Sequence, residues 1–289
     1  MRHALFQPLK ITLDLRRRIA AALAEDVGRG DVTTRAILDR PTPGRAVIIA
    51  RERGVLCGLP VVEEVFRAAD RRLRTHRLRR DGQPLEDGDE VFEVRGNLAS
   101  ILTAERVALN FLQHLSGIAS LTRRYVEALR GSATQILDTR KTTPLWRDLE
   151  KYAVRVGGGV NHRFGLDDRV LIKNNHADAA GSLGEAIRRV RRAQRGRKAL
   201  LLMAEVRNLA EVREAVAEQA DLILLDNLSR GSLRRALREI PPTIQTEASG
   251  GMTPRRVRAL ADLGLNRISV GALTHSAPAR DFSLRYRKP

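Results

Sequence analysis

Gln135-Ile136-Leu137-Asp138-Thr139-Arg140-Lys141 and, further along, Val170-Leu171-Ile172-Lys173-Asn174-Asn175-His176 share one construction: a short apolar run that breaks off into polar and cationic residues. Short apolar runs bounded in this way are the pattern of buried strands. Between them, Pro144 suits the first turn of a helix, and Leu145, Leu149, Ala153 and Val156 then share one face. Gly157-Gly158-Gly159 stops that helix, and Asn161-His162-Arg163 follows. The stretch therefore reads strand–helix–strand. It sets Arg140, Lys141 and Lys173 at the C-terminal ends of the two strands, with His162 and Arg163 on the loop between. So dense a set of cationic donors suits an anion with more than one charge.

Downstream the same alternation continues. Strands are expected at 135–140, 169–174, 199–206, 221–226, 243–248 and 267–271, with helices at 144–156, 182–195, 208–219, 231–239 and 253–263. Repeated strand–helix units of this length indicate parallel strands, in a closed barrel or an open doubly wound sheet. The residues at the strand ends favour the barrel. Glu205 and Asp226 end or nearly end the third and fourth strands; Glu247, then Ser249-Gly250-Gly251, follows the fifth, and Gly271-Ala272 the sixth. In a barrel these positions converge on one face, where such enzymes place catalysis, with phosphate loops after the last two strands. The expectation is a barrel one or two strands short of eight. Taken singly, each residue has a plainer reading: Arg140 could pair with Asp138, Lys173 with Asp167 or Asp168, and the histidines could be surface or core residues. Together, that many ionisable groups at successive strand ends would be costly to bury without a ligand. Cations on the first two strands and acids on the next two suit an acidic substrate beside a magnesium-bound polyphosphate.

Upstream the texture differs. An amphipathic helix fits residues 11–25, followed by the turn Glu25 to Thr34. Strand-like segments follow at Ala46–Ala50, Leu73–Leu78 and Val91–Val94, with a helix from Pro60 to Ala69 and a turn at Asp81-Gly82-Gln83-Pro84. A long helical pattern then runs from Ser100 to Leu129, with Ser116-Gly117 as a place where it could break. Mixed elements of this kind suggest a small α+β domain; the expected division is 1–115 for that domain and 116–275 for the barrel, with the tail 276–289 packing on the first domain.

The chain has 289 residues, room for one large domain or two unequal ones. No apolar stretch approaches membrane-spanning length, and the opening Met1-Arg2-His3-Ala4-Leu5-Phe6-Gln7-Pro8 lacks a signal-peptide core. Cys57 is the single cysteine, which excludes a disulfide framework and a cysteine-rich metal site. The chain reads as cytosolic. Its 52 Lys+Arg against 34 Asp+Glu give a net charge of +18, which raises a nucleic-acid reading centred on Arg188–Arg197. Arginines spread along nearly the whole chain, aromatics at 3% and no RNA- or DNA-binding signature favour a general arginine bias instead. A glycosidase using Glu205 and Asp226 as its carboxylate pair would leave the cations and the glycine loops unexplained.

The motifs resemble those of the quinolinate phosphoribosyltransferases. The matching stretches are E-D-V-G-R-G-D-V-T-T from Glu25, N-F-L-Q-H-L-S-G-I-A-S from Asn110, D-T-R-K-T-T-P from Asp138 and G-G-G-V-N-H-R-F-G-L from Gly157. L-I-K-N-N-H from Leu171, L-L-D-N from Leu224, E-A-S-G-G from Glu247 and V-G-A-L-T-H from Val270 complete the series, in the family's order. The resemblance implies an N-terminal α+β sandwich domain beside an incomplete α/β barrel, in a homodimer or a multiple of one with shared active sites. It implies transfer of the phosphoribosyl group of 5-phosphoribosyl-1-pyrophosphate to quinolinate with magnesium, giving nicotinate mononucleotide, pyrophosphate and carbon dioxide in NAD synthesis. By position, Arg106, Thr139, Arg140, His162, Arg163 and Lys173 would hold the quinolinate carboxylates or adjoining phosphates, and Lys141 would stand near the reacting centre. Glu205 and Asp226 would hold the ribose hydroxyls and the metal. Ser249-Gly250-Gly251 and Val270-Gly271-Ala272 would cradle the 5′-phosphate. A paralogous enzyme acting on nicotinate or another ring acid is the alternative. Three positions depart from the family pattern: Leu145-Trp146 stands where Gly-Leu is usual in T-T-P-G-L-R, Asn174 replaces the acid of L-I-K-D-N-H, and Met203 precedes Ala204-Glu205 where E-V-E is frequent.

Overall fold

The computed structural model describes residues 6–196 and 198–288. Met1–Leu5 and Arg197 of the basic run lie outside the described residues. The chain forms two compact units, whose described parts are 6–123, 148–158 and 277–288 (unit 1) and 124–147, 159–196 and 198–276 (unit 2).

The elements of the first part of the chain are α1 (Leu13–Val27), α2 (Val32–Ile37), β1 (Pro43–Ala50), β2 (Gly54–Val55), α3 (Leu59–Ala69), β3 (Arg74–Arg77), β4 (Pro84–Leu85), β5 (Glu90–Asn97) and α4 (Leu98–Ala128). The second part comprises β6 (Gln135–Leu137), α5 (Arg147–Val156), β7 (Val170–Ile172), α6 (Asn174–Ala180), α7 (Leu183–Ala193), β8 (Leu202–Val206), α8 (Leu209–Ala217) and β9 (Leu222–Asp226). It ends with α9 (Arg230–Glu239), β10 (Gln245–Ser249), α10 (Pro254–Leu260), β11 (Arg267–Ser269), α11 (Ala272–His275) and β12 (Phe282–Arg287).

Unit 1 is built on a four-stranded antiparallel sheet in the order β12-β1-β5-β3. Val61, Val62, Val65 and Phe66 of α3 are fully buried, and the Phe66 ring stacks on Phe92 of β5 at 5.8 Å. Side chains of this size each contribute about 1.5–3 kcal/mol when taken out of water. The segment Glu25–Thr34, expected to be a turn, also starts α2, because the Asp31 carboxylate accepts the Thr34 N–H at 2.9 Å and caps the helix. α4 does not break at Ser116-Gly117. The Ser116 hydroxyl is buried and exchanges hydrogen bonds with the Cys57 backbone (3.0 and 3.1 Å), while a Cβ at Gly117 would sit 2.3 Å from the Pro278 carbonyl oxygen. Both small residues admit another segment close to the helix. They do not end it.

The division into units places α5 from Asp148 onward with unit 1, whereas the sequence reading counts it in the span 116–275. Its side chains explain the difference. Tyr152 is buried and donates to Asp81 at 2.7 Å, Arg18 grips Asp148 at 2.6 and 2.9 Å, and His114 Nε2 lies 2.8 Å from the buried Glu150.

Unit 2 is a six-stranded parallel sheet in the order β6-β11-β10-β9-β8-β7. The first strand therefore lies beside the last, as in a barrel, and the opening falls between β6 and β7. There an isolated parallel bridge joins Leu137 to Val160. The incomplete barrel expected from the sequence is present, two strands short of eight. Met203, Leu222 and Leu224 form its core cluster with Leu171 and Leu201. Its helices start where local chemistry dictates. The side chains of Ser182, Asn208, Ser229 and Thr253 accept the N–H groups of Glu185, Glu211, Ser232 and Arg256.

The basic run is tied down within unit 2. Arg188, Arg189 and Arg192 bond Glu185, Arg188 also reaches Glu218, and Arg191 pairs with Asp221. The three guanidinium bonds lower the Glu185 carboxyl to about 2.

Candidate active site

Because the six strands of unit 2 run parallel, their C-terminal ends open on one end of the sheet. Arg140 and Lys141 follow β6, Lys173 follows β7, Glu205 is the penultimate residue of β8, Asp226 and Ser249 end β9 and β10, and Val270-Gly271-Ala272 follows β11. Arg106 belongs to α4 in unit 1 and is not part of this set. A cleft of about 290 Å³ lies at the opposite end of the strands, lined by Thr134, Gln135, Gln245 and Asn266. It holds none of these residues.

The cationic side is held by the backbone around β6. Asp138 is fully buried; its two oxygens accept the His162 N–H at 2.8 Å and the Asn161 amide at 2.6 Å. That hold sets His162 and Arg163 beside the end of β6. His162 is buried, and its Nδ1 accepts the Arg163 N–H at 2.7 Å. Arg163 is 5% exposed, and its guanidinium donates to the Arg169 carbonyl at 3.0 Å. Burial and the neighbouring Arg140 charge push its proton affinity below the usual guanidinium range. Arg140 Nε is itself buried without a hydrogen-bond partner. Two crowded guanidiniums, one with an unused donor, are a receptor for a carboxylate or phosphate.

Lys141 bridges the first and last strands. Its N–H donates to Thr139 Oγ1 at 3.0 Å, and its carbonyl accepts the Thr274 hydroxyl at 2.7 Å. Its side chain passes over Gly271, where a Cβ would sit 3.1 Å from Lys141 Cδ. The loop after β10 is equally constrained. Gly250 has φ +93°, and a Cβ there would lie 2.9 Å from the Asn227 backbone. Arg256 donates to the Gly250 and Leu228 carbonyls at 2.8 and 2.9 Å, locking the loops after β9 and β10 together.

On the acidic side, burial raises the proton affinity of Glu205, with the Asp226 charge adding to it; the Asn174 N–H at 3.4 Å and the charges of Lys173 and His176 oppose it. Lys173 is exposed, and its N–H donates to His176 Nδ1 at 2.9 Å at the start of α6, a helix the sequence reading did not foresee. Among the described residues no group of three or more histidine, cysteine or acidic side chains could hold a metal alone.

The family model for the C-terminal domain of quinolinate phosphoribosyl transferase matches residues 118–285, and that for its N-terminal domain matches residues 31–116. The chain belongs to the quinolinate phosphoribosyltransferase family. It is 43% identical over 266 residues to a "Probable nicotinate-nucleotide pyrophosphorylase (carboxylating)" of Synechocystis, covering 91% of this chain and 89% of that one. A nicotinate-nucleotide pyrophosphorylase (carboxylating) of Mycobacterium leprae is 42% identical, covering 93% of this chain and 96% of that one. The crystal structure of NadC from Streptococcus pyogenes superposes with a TM-score of 0.92 at 42% identity, over 97% of this chain and 100% of that one.

Two of the three departures from the quinolinate phosphoribosyltransferase pattern have local explanations. Thr143-Pro144-Leu145-Trp146 is a turn closed by the Trp146 N–H on the Thr143 carbonyl at 3.0 Å, with Leu145 at φ +65°. Pro144 thus serves the turn and does not open a helix; α5 starts at Arg147, and Leu145 is 80% exposed. The family's glycine suits that left-handed position, which costs leucine roughly 1–2 kcal/mol. Arg147, which is not among the residues expected from the sequence to form the site, holds the turn by donating to Thr142 Oγ1 and the Phe164 carbonyl at 3.0 and 2.9 Å. Its signal was the closing arginine of the T-T-P-G-L-R pattern. Met203 is fully buried in the core cluster and serves packing. Asn174 carries a buried Oδ1 without a hydrogen-bond partner.

Proposed function

We propose that the strand-end cluster of unit 2 joins quinolinate to 5-phosphoribosyl-1-pyrophosphate and releases pyrophosphate and carbon dioxide. As a family member the chain is a pentosyltransferase, a nicotinate-nucleotide pyrophosphorylase of the carboxylating kind, acting in NAD biosynthesis. The observation that carries the assignment of substrate to site is the crowding of Arg140 and Arg163, whose charges a dianion would relieve.

In this reading Arg140, Arg163 and Lys173, with Thr139 beside them, hold the quinolinate carboxylates. His162 stands behind Arg163. Ser249-Gly250-Gly251 and Val270-Gly271-Ala272 receive the 5′-phosphate, since the tight Gly250 and Gly271 contacts leave backbone N–H groups and no side chain in the way. The ring nitrogen attacks the anomeric carbon as pyrophosphate leaves. Positive charge then grows on the ribose, where Glu205 and Asp226 stabilise it and Lys141 faces the reacting centre. The ribosylated ring nitrogen is cationic, so the electron pair left at C2 when carbon dioxide departs is stabilised by the adjacent charge, and C2 takes up a proton.

Magnesium belongs to the same proposal. Glu205 and Asp226 are hard oxygen donors that repel each other when ionised, which fits a cation whose remaining ligands come from substrate and water. When bound, magnesium supplies charge neutralisation for the departing pyrophosphate. A cytoplasmic location is part of the same proposal, in keeping with a role in NAD biosynthesis; among the described residues no helix is long and apolar enough to cross a membrane.

With the purified protein, magnesium, phosphoribosyl pyrophosphate and quinolinate, one carbon dioxide should appear per nicotinate mononucleotide. Nucleotide without carbon dioxide, or no nucleotide, would overturn the assignment. A homodimer with shared sites completes the proposal, Arg106 serving the neighbouring subunit as the family pattern has it. Mixing inactive Arg106→Ala and Lys141→Ala chains should then restore part of the activity, because one site per heterodimer keeps both residues. Heterodimers that form and stay inactive would refute sharing.

A further inference from the structure

Glu247 is a buried acid near the end of β10 to which the proposed reaction assigns no role. It sits on β10 between Leu224 of β9 and Arg267 of β11, and its side chain is fully buried. Neither oxygen makes a well-formed hydrogen bond. The basic side chain beside it is His162, whose Nε2 lies 3.5 Å from Oε1. The other groups that act on it are the Ser269 hydroxyl and the Arg267 charge from β11, Arg169 from the segment before β7, and Asp138 after β6. Burial outweighs the first three, and the Asp138 charge reinforces it, so the carboxyl is pushed up to about 7. An acid whose proton is held more tightly in the folded than in the unfolded chain lowers stability as pH rises from the ordinary carboxyl range through 7. A purely structural position would be better served by glutamine or an apolar residue.

His162 shows what the acid is for. Its Nδ1 accepts the Arg163 N–H, so the neutral ring carries its proton on Nε2, the atom that faces Glu247. A carboxylate at that distance attracts the N–H with its full charge; a protonated acid offers only its neutral carbonyl oxygen. We propose that Glu247 is a positioning residue for quinolinate binding: through His162 it fixes the Arg163 backbone, and with it the guanidinium of the carboxylate clamp. The inference rests on the assignment of Arg163 to quinolinate made above.

Quinolinate affinity should therefore fall as Glu247 takes up its proton. Both carboxyls of quinolinate stay ionised between pH 6 and pH 8, so the charge of the ligand does not change over this range. Calorimetric titration of the whole protein with quinolinate should show roughly tenfold weaker binding at pH 6 than at pH 8. Glu247→Gln keeps an acceptor for His162 without a titrating group, and should bind equally at both pH values. Glu247→Leu removes the acceptor and should bind about tenfold more weakly throughout, while phosphoribosyl pyrophosphate binds as in the wild type. A glutamine variant that keeps the wild-type pH dependence overturns the proposal. So does a leucine variant that folds and binds quinolinate normally, or a loss that falls equally on both substrates. Wild-type protein that binds no quinolinate would refute the substrate assignment itself, and this inference with it.

Discussion

Glu205→Gln and Asp226→Asn should each lower turnover by about 100-fold or more, while quinolinate affinity changes little. Both carboxylates lie at the C-terminal ends of adjacent strands β8 and β9, and the Asp226 charge adds to the cost of ionising Glu205. Two like charges kept near one another are useful when positive charge develops between them on the ribose as pyrophosphate departs. The effect is therefore concentrated in the transition state and should appear in kcat much more than in KM. Acidification should act in the same direction. The raised proton affinity of Glu205 means that it becomes neutral at a higher pH than an ordinary glutamate, and turnover should fall as it does. Variants that keep near-wild-type turnover at saturating magnesium would remove these residues from the reaction.

Nicotinate should be a very poor substrate. It lacks the C2 carboxylate of quinolinate, so one of the buried cations around Arg140 and Arg163 would face a ligand with nothing to pair with it. Arg163 is almost wholly buried, and Arg140 Nε already lacks a partner. Leaving a desolvated charge unpaired costs about 2–5 kcal/mol, enough to separate the two acids by one to several decades in kcat/KM. The ratio of specificity constants, measured under the same conditions, decides the matter. Comparable values would mean that the clamp does not read the second carboxylate.

Much of this site is legible in the sequence because its signals are local. The apolar runs before Asp138 and Lys173, and those ending at Glu205, Asp226 and Ser249, become parallel strands. The helix caps Ser182, Asn208, Ser229 and Thr253 stand where the strand–helix alternation requires a start. Parallel strands then carry Arg140, Lys141, Lys173, Glu205 and Asp226 to one end without further information. Strand identity, strand direction and the residue at each strand end all follow from neighbours within a few positions.

Other features depend on groups distant in the chain. Phe282–Arg287 is a short, cationic stretch that becomes β12 only because β1 offers it a hydrogen-bonding edge. Asp148 to Val156 has an ordinary barrel-helix pattern, but Asp81, Arg18 and His114 supply its partners and draw it into unit 1. Ser116-Gly117 reads as a helix break until Cys57 and Pro278 are seen against it. Asp138 and Glu247 read as a strand terminus and a strand residue; burial makes the first a brace for His162 and the second an acid that titrates near neutrality. The sequence by itself determined which residues lie at the strand ends, because backbone propensity and side-chain alternation act over a few residues. Only the tertiary structure decided which of those residues are desolvated and what faces them, because burial and electrostatics are set by segments that meet only when the chain has folded.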